Sequence, residues 1–145
     1  MTARYFVDTN VFVYARDSSE PAKQAAASQW LSSLWQSRAG RVSYPVLQEY
    51  YLIVTRRLSP GLPSAIARDD VRDLLVWDPV TTNSAVLEGA WRVQDRFSVS
   101  WWDALIVAAA RIGQCDYLLT EDLQHGQELD GVTVLNPFDV AVPDL

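Results

Sequence analysis

The chain has 145 residues, of which 49% are hydrophobic, and this predicts one domain, residues 1–145, with a core that needs no disulfide. A single cysteine excludes an intramolecular disulfide and suits a reducing cytoplasm, while a single histidine excludes the common Cys/His zinc sites. The formal net charge of −6 argues against tight non-specific binding of nucleic acid, although all but one of the 12 basic residues are arginines, which bind phosphate in a bidentate way.

The first half of the chain predicts alternating strands and helices. A buried strand over residues 4–7 ends at Asp8, and the next two residues offer N-cap chemistry for a helix through about residue 16. Helices follow over residues 21–38 and 45–58, and a short strand at 41–43 separates them. A break rich in Pro and Gly at 59–63 precedes a helix over 64–75 and an edge strand at 76–80.

The second half continues the same alternation. It predicts helices over residues 84–95 and 98–112 and strands at 117–120 and 132–135. Short strands rich in Val, Leu and Tyr between helices indicate an α/β fold, with a parallel sheet and helices on both faces. No apolar run is long enough to cross a bilayer and no signal peptide is visible, so we expect a cytoplasmic protein that has no membrane association.

Four acids are predicted to meet at one edge of this sheet. Asp8 and Asp122 follow the carboxyl ends of strands, and Glu49 and Asp103 lie near the starts of helices that begin at the same edge. Carboxylates that share one spot repel each other unless they are protonated or neutralised by a cation. Mg²⁺ prefers oxygen ligands and can activate water for attack on phosphorus, so the pattern indicates a phosphodiester hydrolase.

At these acids the chain resembles the PIN-domain family. The segments FVDTN at 6–10, LQEY at 47–50, WDALI at 102–106 and LTEDL at 119–123 resemble its four acidic motifs, in order and over nearly the whole chain. A lone domain of this length most resembles the VapC-type toxins of toxin–antitoxin pairs. The resemblance implies a five-stranded parallel sheet, RNA cleavage that depends on Mg²⁺ or Mn²⁺, homodimerisation, and inhibition by a cognate antitoxin.

The resemblance also implies roles for individual residues. Asp8 and Asp103 would be the primary metal ligands, and Glu49 and Asp122 would complete the site directly or through water. Glu121 stays open as a substitute for Asp122, although the family pattern and strand alternation favour Asp122. Three further polar side chains are candidates for positioning phosphate or ligands: Thr9, Asn10 and Thr120.

Each acid also has a simpler structural role open to it. Asp8 could cap the first helix, and Asp103 could form a capping box with Ser100. Glu49 could be an exposed helix residue or a buried one that needs a partner, and Asp122 could be a turn residue. Only their joint presence favours the metal site.

Other side chains leave two interpretations open. Trp101 and Trp102 could stack on bases, or one could lie in the core and the other at an interface. Three further tryptophans are predicted to be core residues or dimer contacts: Trp30, Trp35 and Trp91. His125 lies in a loop with glycine and is predicted to be a surface residue. Four arginines could meet RNA phosphates or form a solvated face paired with Asp69, Asp70 and Asp73: Arg56, Arg57, Arg68 and Arg72.

Rival functions are a structure-specific DNA nuclease and an inactive PIN-like binding module. The chain has no added DNA-gripping segment, and all four acids are present, so RNA cleavage is favoured over both. An aspartyl phosphatase would need an acid two residues after Asp8, where Asn10 stands. A receiver-like signalling domain would need a lysine after a later strand, whereas Lys23 is the only lysine.

Overall fold

A computed structural model describes residues 2–145, which form a five-stranded sheet and six α-helices. The strands are β1 (Tyr5–Val7), β2 (Gly40–Arg41), β3 (Tyr117–Leu119), β4 (Glu128–Leu129) and β5 (Val132–Leu135). The helices are α1 (Thr9–Arg16), α2 (Pro21–Ser37), α3 (Tyr44–Arg56), α4 (Ser64–Leu74), α5 (Ser84–Arg96) and α6 (Trp101–Ile112). None of the helices in this part of the chain is long and apolar enough to cross a membrane.

The sheet has the strand order β2-β1-β3-β5-β4, and its first three pairings are parallel. The predicted α/β fold with a five-stranded sheet is therefore confirmed, although the sheet is not parallel throughout as predicted. Only β4, at the edge, runs antiparallel to its neighbour β5. The reversal occurs in a two-residue turn, where Asp130 and Gly131 have φ of 51° and 88°, the positive values that such hairpin turns require.

The central strands are covered on both faces. All three residues of β1 are buried, with at most 5% of their surface exposed, and successive side chains of a strand point to opposite faces. Leu118 and Leu119 of β3 are fully buried as well. Helices on both sides of the sheet, as predicted, therefore hold the carboxyl ends of β1 and β3 in a fixed relation.

The predicted edge strand at residues 76–80 is wrong. The chain continues from α4 into a 3-10 helix, Leu75–Trp77, in which Val76 is 78% exposed. Of the predicted strand, only Val80 pairs, in a single parallel bridge with Ser43. The two-residue strand β4 was not predicted. The other elements differ from the prediction mainly at their ends, as at β2, which begins one residue earlier than predicted and ends at Arg41.

A buried carboxylate ties the β4–β5 turn to the two helices behind it. The side chain of Asp130 is 3% exposed and accepts contacts from Arg92 and Arg96 of α5 and from Arg111 of α6. Burial alone would raise the pKa of this carboxyl, but the guanidinium groups outweigh burial and lower it. These arginines are thus structural partners of one acid.

Candidate functional site

The parallel pairing of β1 with β3 brings Asp8 and Thr120 side by side. Val7 is in register with Leu119, and the backbone N–H of Asp8 donates to the Leu119 carbonyl at 3.0 Å. One residue further, the Thr120 hydroxyl donates to Oδ2 of Asp8 at 2.8 Å. The sequence therefore places an acid and a hydroxyl together at the carboxyl edge of the sheet.

Asp8 is a buried acid, with 7% of its surface exposed. Its Oδ1 accepts a hydrogen bond from the Thr9 N–H at 2.7 Å, so the residue also caps α1. Burial raises its pKa to about 6, the hydrogen bonds from Thr120 and Thr9 act to lower it, and the charges of Asp122 and Glu49 raise it further. Helix capping and a place in the acid cluster coexist in this one residue.

Asn10 connects two of the acids. Its Nδ2 lies 3.4 Å from Oδ2 of Asp8, 3.1 Å from the Thr120 hydroxyl and 3.2 Å from Oδ2 of Asp122. The amide group thus lies between two carboxylates and offsets part of their repulsion. Its other end, Oδ1, is buried and has no hydrogen-bond partner within the described chain.

The remaining acids act on this pair through their charge. Burial raises the pKa of Asp122 and the hydrogen bond from Asn10 lowers it, while the charges of Asp103, Glu121 and Glu49 raise it. Such effects need short distances, because solvent screens charges that lie far apart. The charges of Glu49 and Asp103 thus act on the carboxylates that Asn10 links, those of Asp8 and Asp122, while Glu49 and Asp122 are themselves exposed to solvent.

The two adjacent acids of the last motif point to different partners. Asp122 accepts from Asn10, whereas Glu121 accepts from the ammonium group of Lys23 at 2.8 Å. The observed contacts thus connect Asp122, and not Glu121, with Asp8 through Asn10. No sequence pattern gives Lys23 a role at this site, and its one distinguishing feature is that it is the sole lysine.

Asp103 forms half of the capping box that the sequence suggested. Ser100 caps α6 by accepting from the Asp103 N–H at 3.1 Å. In residues 2–145 the Ser100 backbone N–H donates no hydrogen bond to the Asp103 carboxylate, so this carboxylate is left available to the acid cluster.

The donor atoms of these residues are those that a divalent cation prefers. No three Asp, Glu, His or Cys side chains of the described chain are placed so that they could hold one ion together. Mg²⁺ does not require this, since it commonly takes one or two protein carboxylates and keeps several waters. The donors are all oxygens, two of the acids have raised pKa values, and the buried Oδ1 of Asn10 lacks a partner. The residues therefore fit a largely hydrated Mg²⁺ or Mn²⁺.

The other candidates from the sequence lie outside this cluster of contacts. His125 is exposed, and its Nδ1 accepts from the Asn136 N–H at 3.1 Å. Trp101 stacks against Trp91 with 6.5 Å between ring centroids, and Trp102 is 74% exposed. Trp30 is core, with 1% of its surface exposed.

The arginine group near the Pro/Gly break is only partly paired. Arg72 binds Asp69 at 3.0 Å, and Arg68 donates to the Tyr51 hydroxyl at 3.2 Å. Asp70, one of the acids considered as a partner for this group, instead accepts two hydrogen bonds from Arg16, at 3.0 and 2.7 Å.

Replacing Thr120 by valine is expected to weaken the cluster without changing its shape. The Thr120 hydroxyl donates to Asp8 and accepts from Asn10 and from the Asp122 N–H, and it is fully buried. Loss of these bonds should cost about 1–3 kcal/mol in the free energy of unfolding. Thr120→Ser keeps the hydroxyl and should lose clearly less. Urea unfolding of both variants measures the difference, and equal losses would contradict this role.

The chain is similar to a known protein family and to solved structures. The PIN-domain family model matches residues 5–127. Among solved structures, VapC20 of Mycobacterium tuberculosis, described as a toxin that cleaves the sarcin-ricin loop, matches with a TM-score of 0.60 and 24% identity, over 81% of this chain and 91% of that chain. A toxin–antitoxin complex from Klebsiella pneumoniae matches with a TM-score of 0.59 and 14% identity, over 97% of this chain and 100% of that chain. No curated protein matches the sequence significantly.

Proposed function

Because the chain belongs to the PIN-domain family, we propose that it is an endoribonuclease that depends on Mg²⁺ or Mn²⁺ and serves as the toxin of a toxin–antitoxin pair. The observation that carries this proposal is the acid cluster at the carboxyl edge of the sheet. Asp8 and Asp122 are joined there through Asn10, and the charges of Glu49 and Asp103 act on them. Such a cluster is costly to a protein that does not use it, because neighbouring like charges repel and one of them, that of Asp8, is buried.

In this proposal all four acids contribute to binding the ion. Asp8 and Asp103 are the primary ligands, and Glu49 and Asp122 complete the site directly or through water. The bound ion supplies positive charge for the phosphate and activates water for hydrolysis. Hydrogen bonds from Thr9 and Thr120 fix the Asp8 carboxylate, and Asn10 holds Asp122, so both acids are oriented before substrate arrives.

RNA and an antitoxin are the proposed partners, and a homodimer is the proposed assembly. One structural neighbour is described as cleaving the sarcin-ricin loop and another as a toxin–antitoxin complex, which supports both partners for this chain. The net charge of −6 favours a particular RNA structure over RNA in general, because non-specific affinity depends on neutralising phosphates with basic residues.

The decisive experiment incubates partner-free protein with total cellular RNA, and in parallel with single-stranded and branched DNA. Each substrate is tested with Mg²⁺, with Mn²⁺ and with a chelator. We expect discrete RNA fragments only when a metal is present, and intact DNA. Cleavage of DNA in place of RNA would favour the DNA nuclease. Metal binding without cleavage of either substrate would favour the inactive binding module.

A further inference from the structure

The sole lysine of the chain contacts three side chains beside the acid cluster. Lys23 lies in the first turn of α2, and its ammonium group donates to Oε2 of Glu121 at 2.8 Å and to the Tyr14 hydroxyl at 3.3 Å. The same group lies over two aromatic rings, 4.6 Å from the centroid of Tyr14 and 5.3 Å from that of Phe138. Those rings contact each other edge to face at 5.1 Å. We call these four residues the Lys23 clamp.

The Lys23 clamp connects the two chain segments that carry the core of the acid cluster. Tyr14 belongs to α1, the helix that Asp8 caps. Glu121 stands between Thr120, which donates to Asp8, and Asp122, which accepts from Asn10. A single ammonium group therefore restrains the helix of one acid and the loop of another.

An exposed salt bridge would carry little of this restraint, since isolated surface pairs contribute about 0–1 kcal/mol. The Lys23 clamp differs in two respects. The ammonium group combines a charge-assisted hydrogen bond with cation–π contacts to two rings. The side chains of its ion pair are also only 37% and 23% exposed, so solvent screens the attraction less than at a fully exposed pair.

We propose that Lys23 is a positioning residue for the metal site. By holding Glu121 on its own side of the loop after β3, it turns the neighbouring Asp122 toward Asn10 and Asp8. It also keeps a second free carboxylate, that of Glu121, from competing with Asp122 for the cation. This inference rests on the proposed function, because it concerns the ion that the acid cluster binds.

The test is Mn²⁺ affinity measured calorimetrically on partner-free protein without RNA. Lys23→Met keeps the apolar stem against the rings and removes the charge, and it should weaken Mn²⁺ binding about 10-fold, as loss of a residue that orients a ligand does. Lys23→Arg should recover most of the affinity. In RNA cleavage, Lys23→Met should lower kcat and leave KM nearly unchanged, because a positioning residue acts on the acids rather than on the substrate.

Epistasis tests whether Lys23 acts through Glu121. The double variant Lys23→Met, Glu121→Gln should bind Mn²⁺ no more weakly than Lys23→Met alone. Arg92→Met is the matched control, because it breaks an arginine contact to Asp130 at the opposite end of the sheet and should leave Mn²⁺ affinity unchanged. Thermal melting of every variant checks that it is folded.

Two results would overturn the inference, and only the second would also overturn the proposed function. If Lys23→Met binds Mn²⁺ as tightly as the wild type, Lys23 forms only a structural ion pair and the proposed function stands. If the wild type itself binds no Mn²⁺, the metal-dependent function fails together with the role of Lys23.

Discussion

Asp8→Asn and Asp8→Ala are each expected to reduce metal-dependent RNA cleavage on the order of 10³-fold or more. Asp8 is the most buried member of the acid cluster and is proposed as a primary ligand. A bound cation contributes several kcal/mol to stabilising charge in the reaction, and each 1.36 kcal/mol, roughly, is a factor of ten in rate. Initial rates at saturating Mg²⁺ measure the loss.

The two substitutions separate catalysis from helix capping. Asparagine can still accept from the Thr9 N–H, whereas alanine also loses the cap of α1, at about 0.5–2 kcal/mol. Circular dichroism should be close to wild type for both variants. Asp69→Asn, which neutralises an exposed acid on α4, is the matched control and should cleave normally. Normal cleavage by both Asp8 variants would show that this carboxylate is not a catalytic ligand.

Asp8 is also expected to have a large effect on the stability of the metal-free protein, which its ionised carboxylate lowers. The pKa of the Asp8 carboxyl rises from 3.8 to about 6 on folding, chiefly through burial. The folded state therefore binds this proton more tightly than the unfolded state. Its stabilising contribution is complete below about pH 4 and is lost as pH rises through about 6. Two pKa units correspond to at most about 3 kcal/mol lost at neutral pH.

Asp8→Asn removes this ionisation and should stabilise metal-free protein by about 1–3 kcal/mol near pH 8. The gain should shrink toward pH 4 and vanish at a pH well below 3.8, where the wild-type carboxyl is protonated in both states. Urea unfolding in the presence of a chelator measures both differences. Added Mg²⁺ should raise the stability of the wild type, which binds it in the folded state, and should do so less in the variant. If the metal-free wild type is more stable than the variant near pH 8, the buried Asp8 carboxylate does not destabilise the folded state.

The fold could be predicted where local signals agreed with burial. Three apolar residues followed by Asp8 and a capped helix define β1 and α1 without any tertiary information. The strand predicted at 76–80 failed because its apolar residues continue the last turn of α4, and Val76 faces solvent. The two-residue strand β4 was missed, although the Asp-Gly pair at 130 and 131 is a hairpin signal that could have located it.

The acids were predicted from their order and spacing, but their connections were not. Asn10 and Thr120 are 110 residues apart in the chain, and only the sheet register brings them within 3.1 Å. The choice between Glu121 and Asp122 likewise depends on where Lys23 lies, which no local pattern in the sequence encodes. The sequence thus points to the acids as candidate donors, and the packing of distant segments decides which of them are connected.

We propose that acids from four separate segments form one site for a divalent cation. The most direct test of this proposal is calorimetric titration of Mn²⁺ into partner-free protein and into four single variants: Asp8→Asn, Glu49→Gln, Asp103→Asn and Asp122→Asn. We expect the wild type to bind Mn²⁺ and every variant to bind it more weakly, with the largest losses at Asp8 and Asp103. Wild-type affinity in all four variants would mean that the acids do not share an ion, and the account of this protein as a metal-dependent nuclease would be wrong.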